Sequence, residues 1–287
     1  MASDTRRARF RAILEGDRCI RPASVFDPVS ARIAEGLGFE AGMFAGSIAA
    51  LTVLGAPDLI LVTLTEFAEQ ATRICRAGSL PLLVDADHGY GNALSVMRTV
   101  EELETAGVAG LTIEDTVLPT PFGDSEPTLV SIEEGAGKMR AAVTARRDPG
   151  LVIVGRTNAR AAGGLADAIA RARAYEAAGV DAMFFIGIAN AAQLDEVAAA
   201  LKVPIILGAA PAALDDNAAL AARGVRVALQ GHLPFMAAVR AAADTLKALR
   251  DGTPPGQIAG TASAETMKTL TRDGDYRLWT VEFLRRR

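Results

Sequence analysis

Along the chain, apolar residues fall into short uninterrupted runs rather than alternating ones. Four segments share one local order: an alanine-rich stretch with helical spacing, a glycine, then a short apolar run. They are 34–45 (AEGLGFEAGMFA), 104–113 (ETAGVAGLTI), 176–186 (EAAGVDAMFFI) and 221–229 (AARGVRVAL). A glycine just past a helix adopts the left-handed conformation that ends it without strain. Apolar runs that do not alternate are expected of parallel strands covered on both faces. Three further runs lie at 82–85, 151–156 and 203–207, and an eighth falls within 19–25. Eight strands with helices between them predict an α/β fold, a (β/α)8 TIM-type barrel. A doubly wound open sheet is the alternative, but no G-x-G-x-x-G follows the first strand.

Two stretches break the pattern. Residues 116–130 (TVLPTPFGDSEPTLV) follow the fourth strand and are rich in proline, glycine and aspartate. A loop this long between strand and helix is usually functional, often a gate. Residues 252–261 (GTPPGQIAGT) read as a linker, with short helices expected over 263–273 and 276–285. The expected organisation is therefore a barrel domain at 1–251 and a helical appendage at 252–287, packed on a neighbouring subunit or on the barrel floor.

Composition narrows the class. Half of the 287 residues are hydrophobic, enough for a large core without disulfides. A net charge of −4 argues against a nucleic-acid partner. The tail Arg285-Arg286-Arg287 reads as a solvated helix end. Cys19 and Cys75 form no close-spaced pair and read as buried thiols of a reducing compartment. No apolar run reaches the roughly 18 residues of a membrane span. The charged start lacks a secretory signal, so a cytoplasmic protein without a membrane partner is expected.

In a barrel, chemistry collects at the C-terminal strand ends. The third strand ends in Asp85-Ala86-Asp87-His88-Gly89-Tyr90-Gly91-Asn92. Residues two apart on a strand face the same way, so Asp85 and Asp87 point together into the barrel mouth. Paired carboxylates repel unless a cation lies between them, and hard oxygen ligands suit Mg²⁺ or Mn²⁺. Asn92 is placed to cap a helix beginning at Ala93. The fourth strand ends in Ile113-Glu114-Asp115, which reads either as a further metal-facing acid or as a solvated Glu with a capping Asp. The fifth ends in Arg156-Thr157-Asn158-Ala159, and the planar fork of Arg156 suits a carboxylate as well as it balances charge. Ser47 follows the second strand. Asp58 reads as an outer acid or a helix start. The only two histidines, His88 and His232, both fall at this rim, without the second His or Cys a zinc site needs. No lysine sits at a strand end, which argues against Schiff-base chemistry.

With these residues in place, the chain resembles the isocitrate lyase / phosphoenolpyruvate mutase superfamily from about residue 26 to 235. The resemblance rests on Ser47, Pro57-Asp58, the string from Asp85 to Asn92, Ile113-Glu114-Asp115, Lys138 and Arg156-Thr157-Asn158-Ala159. Members share the barrel, usually with an exchanged terminal helix, and bind Mg²⁺ with an α-keto acid or its enolate. The long loop lacks the catalytic Cys of the lyase branch and the Lys and Asn of the phosphonopyruvate branch. It resembles the oxaloacetate decarboxylase branch instead, in Glu114-Asp115-Thr116-Val117-Leu118-Pro119-Thr120-Pro121-Phe122-Gly123 and in Gly231-His232. It departs from that branch at 208–213 (GAAPAA), where a polar loop with a tyrosine is expected.

The resemblance implies a carboxy-lyase that converts oxaloacetate, or a close α-keto dicarboxylic acid, to pyruvate and CO₂. It implies Mg²⁺, with Mn²⁺ as substitute, on Asp85, with Asp87, Glu114 and Asp58 around it. Ser47 and Arg156 would hold the substrate, and Arg156 and His232 would be catalytic. A homo-oligomer, dimer or tetramer, is implied as well. The alternatives are a C–C lyase of the 2-methylisocitrate type and a non-catalytic keto-acid binder.

Overall fold

The computed structural model describes residues 2–123, 128–158 and 163–285. Ala159 of the fifth-strand motif, residues 124–127 of the long loop, and Arg286 and Arg287 of the basic tail lie outside the described residues. Eight strands form one sheet: β1 (Ala23–Ser24), β2 (Gly42–Phe44), β3 (Leu82–Asp85), β4 (Gly110–Glu114), β5 (Val152–Asn158), β6 (Ala182–Ile186), β7 (Ile205–Leu207) and β8 (Val225–Ala228). They pair in sequence order, every pair parallel. Ile20, just before β1, bridges Val227 of β8. Its N–H donates to the Arg226 carbonyl at 2.9 Å and its carbonyl accepts from Ala228 N–H at 3.0 Å. These bonds close the ring; six strands lie inside the segments their apolar runs predict, while β4 runs one residue and β5 two residues past theirs, into the polar ends Glu114 and Thr157-Asn158.

The reason is burial on both faces. Every residue of β2, β3 and β4 is buried, so alternation has no polar face to mark. Helices between strands begin and end as their sequences require. Ala93–Ala106 starts at Asn92, whose side chain accepts from Leu94 and Ser95 N–H, and stops at Gly107 in the left-handed conformation (φ +88°). Leu64–Cys75 starts with a capping box between Thr63 and Glu66.

Helix Ala2–Glu15 precedes the ring. It carries arginines that a charged chain start would leave in water, yet Arg6 and Arg7 are buried.

The chain forms two compact units, Met1–His232 and Leu233–Arg287. The second holds helix Leu233–Arg250, a 3-10 turn at Pro255–Gln257, helices Ala264–Thr271 and Asp273–Trp279, and a π-helical turn at Thr280–Leu284. This division and the expected boundary at 251/252 differ by one helix. Leu233–Arg250 has no buried residue, so apolar spacing along it reports a helix without reporting a place in the barrel core.

Candidate active site

Sheet register sets the site. β3 and β4 pair Asp85 with Thr112, and β4 and β5 pair Glu114 with Arg156. Side chains on adjacent parallel strands at one level face the same side, so these four meet at the barrel mouth. Thr112 Oγ1 donates to Asp85 Oδ1 at 2.6 Å, and Arg156 Nη1 donates to Asp85 Oδ2. Arg156 Nη2 lies 3.3 Å from Glu114 Oε2. The guanidinium also sits over the Phe184 ring, 5.4 Å from its centroid.

Asp87 follows the strand in the left-handed region (φ +47°), a conformation aspartate tolerates better than most residues. Its carbonyl accepts from Glu114 N–H at 2.8 Å, which fixes the turn. Its carboxylate lies over Gly46, where an added Cβ would fall 2.5 Å from Oδ2. The glycine before Ser47 is therefore what lets Asp87 enter the mouth.

Ser47, Asp58, Asp85, Asp87, Glu114, Arg156 and His232 all line one cavity of about 570 Å³. Asp58 stands in the loop before Leu64–Cys75, six residues short of that helix, so it is not the helix start. Thr116, Leu118, Pro119 and Thr120 of the long loop line the same cavity, and the loop folds back through a Thr116–Leu129 bridge. Of residues 208–213, only Gly208 borders it, beside Phe184 and Ile186. A larger cavity of about 980 Å³ opens at the N-terminal strand ends among Arg18, Arg21 and Arg226, and holds none of these residues.

The electrostatics are unbalanced. Burial, then Asp85 and Glu114, hold the Asp87 carboxyl well above its ordinary range against the pull of Arg156. Burial also lifts Glu114, with Arg156 opposing and Asp85 assisting. Asp58 is lifted by burial and by Asp85, with Arg156 and His232 opposing. Burial works against the Arg156 charge, but Asp85 and Glu114 outweigh it and the group is held above its ordinary value. Four carboxylates thus face one guanidinium. Such a set fits a divalent cation, because a hard, doubly charged ion relieves the repulsion that lifts these groups. Among the described residues, no three His, Cys, Asp or Glu side chains form a preformed metal cage; Asp85 is engaged by Arg156 and Thr112 instead.

The two histidines part company. His232 lines the cavity, its Nδ1 2.9 Å from Ser24 Oγ and its Nε2 3.5 Å from Ser47 Oγ. Burial lowers its pKa against the opposing fields of Asp85 and Asp58. His88, expected at the same rim, does not line the cavity. It is buried outside the mouth, pushed down to about 4 by burial and by the charge of Lys138. Asp115 also turns away. It is fully buried and accepts from Thr157 Oγ1 at 2.9 Å, Tyr175 OH at 2.7 Å and Arg171 Nη1 at 3.3 Å, so it ties β4 to β5 and to helix Leu165–Ala177 rather than capping a helix. Ser24 gave no signal in the sequence, since Ala-Ser in a two-residue strand carries no motif.

The family model described as phosphoenolpyruvate phosphomutase matches residues 10–250. The chain is 62% identical over 268 residues to an oxaloacetate decarboxylase of Rhodopseudomonas palustris (strain BisB18), covering 93% of each. Among solved structures it is similar to a phosphoenolpyruvate phosphomutase from Streptomyces platensis subsp. rosaceus, at 30% identity and TM-score 0.87, covering 97% of this chain and 99% of that one. It is also similar to a phosphonopyruvate hydrolase in complex with oxalate and Mg²⁺, at 28% identity and TM-score 0.86, covering 98% of this chain and 99% of that one. By the matched model and by these likenesses across nearly its whole length, the chain belongs to the phosphoenolpyruvate phosphomutase family.

Proposed function

We propose that this protein decarboxylates oxaloacetate to pyruvate and CO₂. The observation that carries the reading is the cluster of Asp58, Asp85, Asp87 and Glu114 around Arg156 in one cavity at the C-terminal strand ends. The relative named oxaloacetate decarboxylase, 62% identical, supports it. The described part of the long loop, 116–123 and 128–130, holds no Cys, His or Lys, so it offers no acid of the kind the C–C lyase alternative needs.

Oxaloacetate presents two carboxylates and a ketone. Arg156 suits one carboxylate: its fork is planar and its side chain borders the cavity. The Ser47 hydroxyl and the His232 imidazole border the same space and can hold the rest of the substrate by hydrogen bonds. In the reaction the bond to the distal carboxylate breaks, CO₂ leaves, and the electron pair remains as an enolate that takes up a proton to give pyruvate. Mg²⁺ or Mn²⁺, held by Asp85 with Asp87, Glu114 and Asp58, would supply Lewis-acid stabilisation of the charge developing on the keto oxygen. Phe184, Ile186 and Leu229 give the cavity an apolar flank, which excludes water from the departing carboxylate.

We further propose a cytoplasmic homo-oligomer, dimer or tetramer. Among the described residues no helix is long and apolar enough to cross a membrane, and helix Leu233–Arg250 exposes Leu233, Met236, Val239 and Leu246; an apolar row of this kind supports self-association. Sedimentation at micromolar protein tests it, and a monomer would refute it.

The functional test is pyruvate release from oxaloacetate with Mg²⁺, with EDTA, and against a blank of metal alone. Protein-dependent turnover that EDTA abolishes is expected. No release above the blank while oxalate still binds would replace the enzyme with a keto-acid binder.

A further inference from the structure

His232 is held from two sides. Ser24 Oγ lies 2.9 Å from Nδ1, and Ser47 Oγ lies 3.5 Å from Nε2 on the cavity side. Ser24 comes from β1 and His232 follows β8, two strands that become neighbours only because the ring closes through Ile20 and Val227. Ser24 itself is buried. Among the described residues its hydroxyl has one hydrogen-bond partner, the histidine.

A neutral imidazole carries its hydrogen on one nitrogen only. If Nδ1 carried it, Ser24 would have to accept, and its own hydroxyl hydrogen would find no acceptor among the described protein groups. If Nδ1 is bare, the hydroxyl donates to it and both groups are satisfied. The hydrogen bond gained favours the second arrangement by up to about ten-fold. The ring hydrogen is then on Nε2, facing Ser47 and the cavity.

We propose that Ser24 is a positioning residue: by donating to Nδ1 it locks His232 as the Nε2–H tautomer, so the histidine meets the keto acid as a hydrogen-bond donor and not as a base. This rests on the decarboxylase reading for its substrate, but the tautomer does not depend on turnover. A fixed donor suits the reaction. Negative charge is present on the substrate's carboxylates and grows on its keto oxygen, and a preoriented N–H stabilises it without reorganising. A bare Nε2 would instead point a lone pair at an anion.

The chain has only two histidines, so protein labelled with ¹⁵N-histidine gives a spectrum of two rings, and His88→Gln assigns the one that remains. In solid-state ¹⁵N spectra at neutral pH, an unprotonated ring nitrogen resonates far downfield of a protonated one. The expected result is an unprotonated Nδ1 and a protonated Nε2 at His232. Ser24→Ala should mix the two tautomers and lower kcat/KM for oxaloacetate by about ten-fold. Ser24→Thr, which keeps a hydroxyl, should restore both the spectrum and the rate. A protonated Nδ1 in the unaltered protein, or a Ser24→Ala spectrum identical to it, would overturn the assignment. The locked tautomer in a protein that releases no pyruvate would instead sink the decarboxylase reading and leave the lock standing. The wrong tautomer in an active enzyme would do the reverse.

Discussion

The two ends of the strand ring use the same residue types to opposite effect. At the floor, arginines of helix Ala2–Glu15 reach into loops that lead to the strands. Arg6 donates to the Cys75 and Gly78 carbonyls ahead of β3. Arg7 donates to the Glu104 and Val108 carbonyls ahead of β4 and pairs with Asp148. Arg11 donates to Gly150 and Leu151 ahead of β5 and pairs with Asp181. Arg7 and Arg11 each pair with a carboxylate there, Arg6 is held by carbonyls with its Nε left without a hydrogen-bond partner, and the helix fastens three loops at once. At the rim one guanidinium faces four carboxylates, and Asp58, Asp87 and Glu114 are all lifted from their ordinary pKa range. A matched cluster fixes shape, whereas a mismatched one is poised for a further charge. Substitutions at the two ends should therefore fail in different ways.

The largest effect belongs to the rim. Asp85→Ala removes the carboxylate that both Arg156 and Thr112 engage. It should lower the metal-dependent rate of pyruvate release by about 10³-fold or more, with the melting temperature little changed. Turnover like that of the unaltered enzyme would remove Asp85 from the site.

Arg7→Ala tests the floor. It breaks a half-buried ion pair with Asp148 and strands the Val108 and Glu104 carbonyls, a change that costs about 1–3 kcal/mol. Urea unfolding should report that loss, while kcat per folded molecule stays unchanged. A fall in kcat as large as the fall in stability would mean the two ends are coupled and the contrast is false.

How far each end was legible follows from the same contrast. The strands could be read because parallel strands buried on both faces leave unbroken apolar runs. Asp85 and Glu114 could be read because they sit at the ends of those runs, whereas Asp87 lies past the strand in a left-handed turn and Asp58 in a loop, so strand spacing alone did not carry them. The floor could not be read, since an arginine-rich chain start has the same composition whether it is solvated or folded under a barrel. Ser24 was illegible because its meaning depends on His232, 208 residues away. His88 was misplaced because the backbone turns through left-handed residues at Asp87 (φ +47°) and Gly89 (φ +75°), carrying the next side chains out of the mouth.

That misplacement has a measurable consequence. His88 is buried and its pKa is pushed from 6.5 to about 4. Between those values the unfolded chain binds a proton at His88 that the folded protein refuses. The stability present above 6.5 is therefore lost as the pH falls toward 4, by about 3 kcal/mol in full and about 2 kcal/mol between pH 7 and pH 5. The lifted rim carboxylates act in the opposite sense, binding protons more readily in the folded state, but they are shared by any His88 variant. Urea unfolding of His88→Gln beside the unaltered protein at both pH values isolates the histidine. The variant should lose less stability on acidification by that amount, and parallel losses would show that His88 takes up its proton freely.

The most local change, a single methyl at Gly46, tests how closely the rim is built. Gly46 has an ordinary backbone conformation, so alanine there is opposed only by space: its Cβ would fall 2.5 and 2.6 Å from the two carboxylate oxygens of Asp87. Either Asp87 swings away or helix Gly46–Ala49 shifts, at a cost of about 1–3 kcal/mol in stability. If the carboxylate yields, kcat/KM should fall by about 10- to 100-fold, equivalent to about 1.4–2.7 kcal/mol of transition-state stabilisation. The cause can be separated by a double-mutant cycle with Asp87→Ala. When the methyl acts through Asp87, Gly46→Ala should cost almost nothing further in a chain that already lacks the carboxylate. Losses that simply add would mean the methyl disturbs Ser47 or the helix instead. The glycine would then serve the second strand's turn and not the acid it lies beneath.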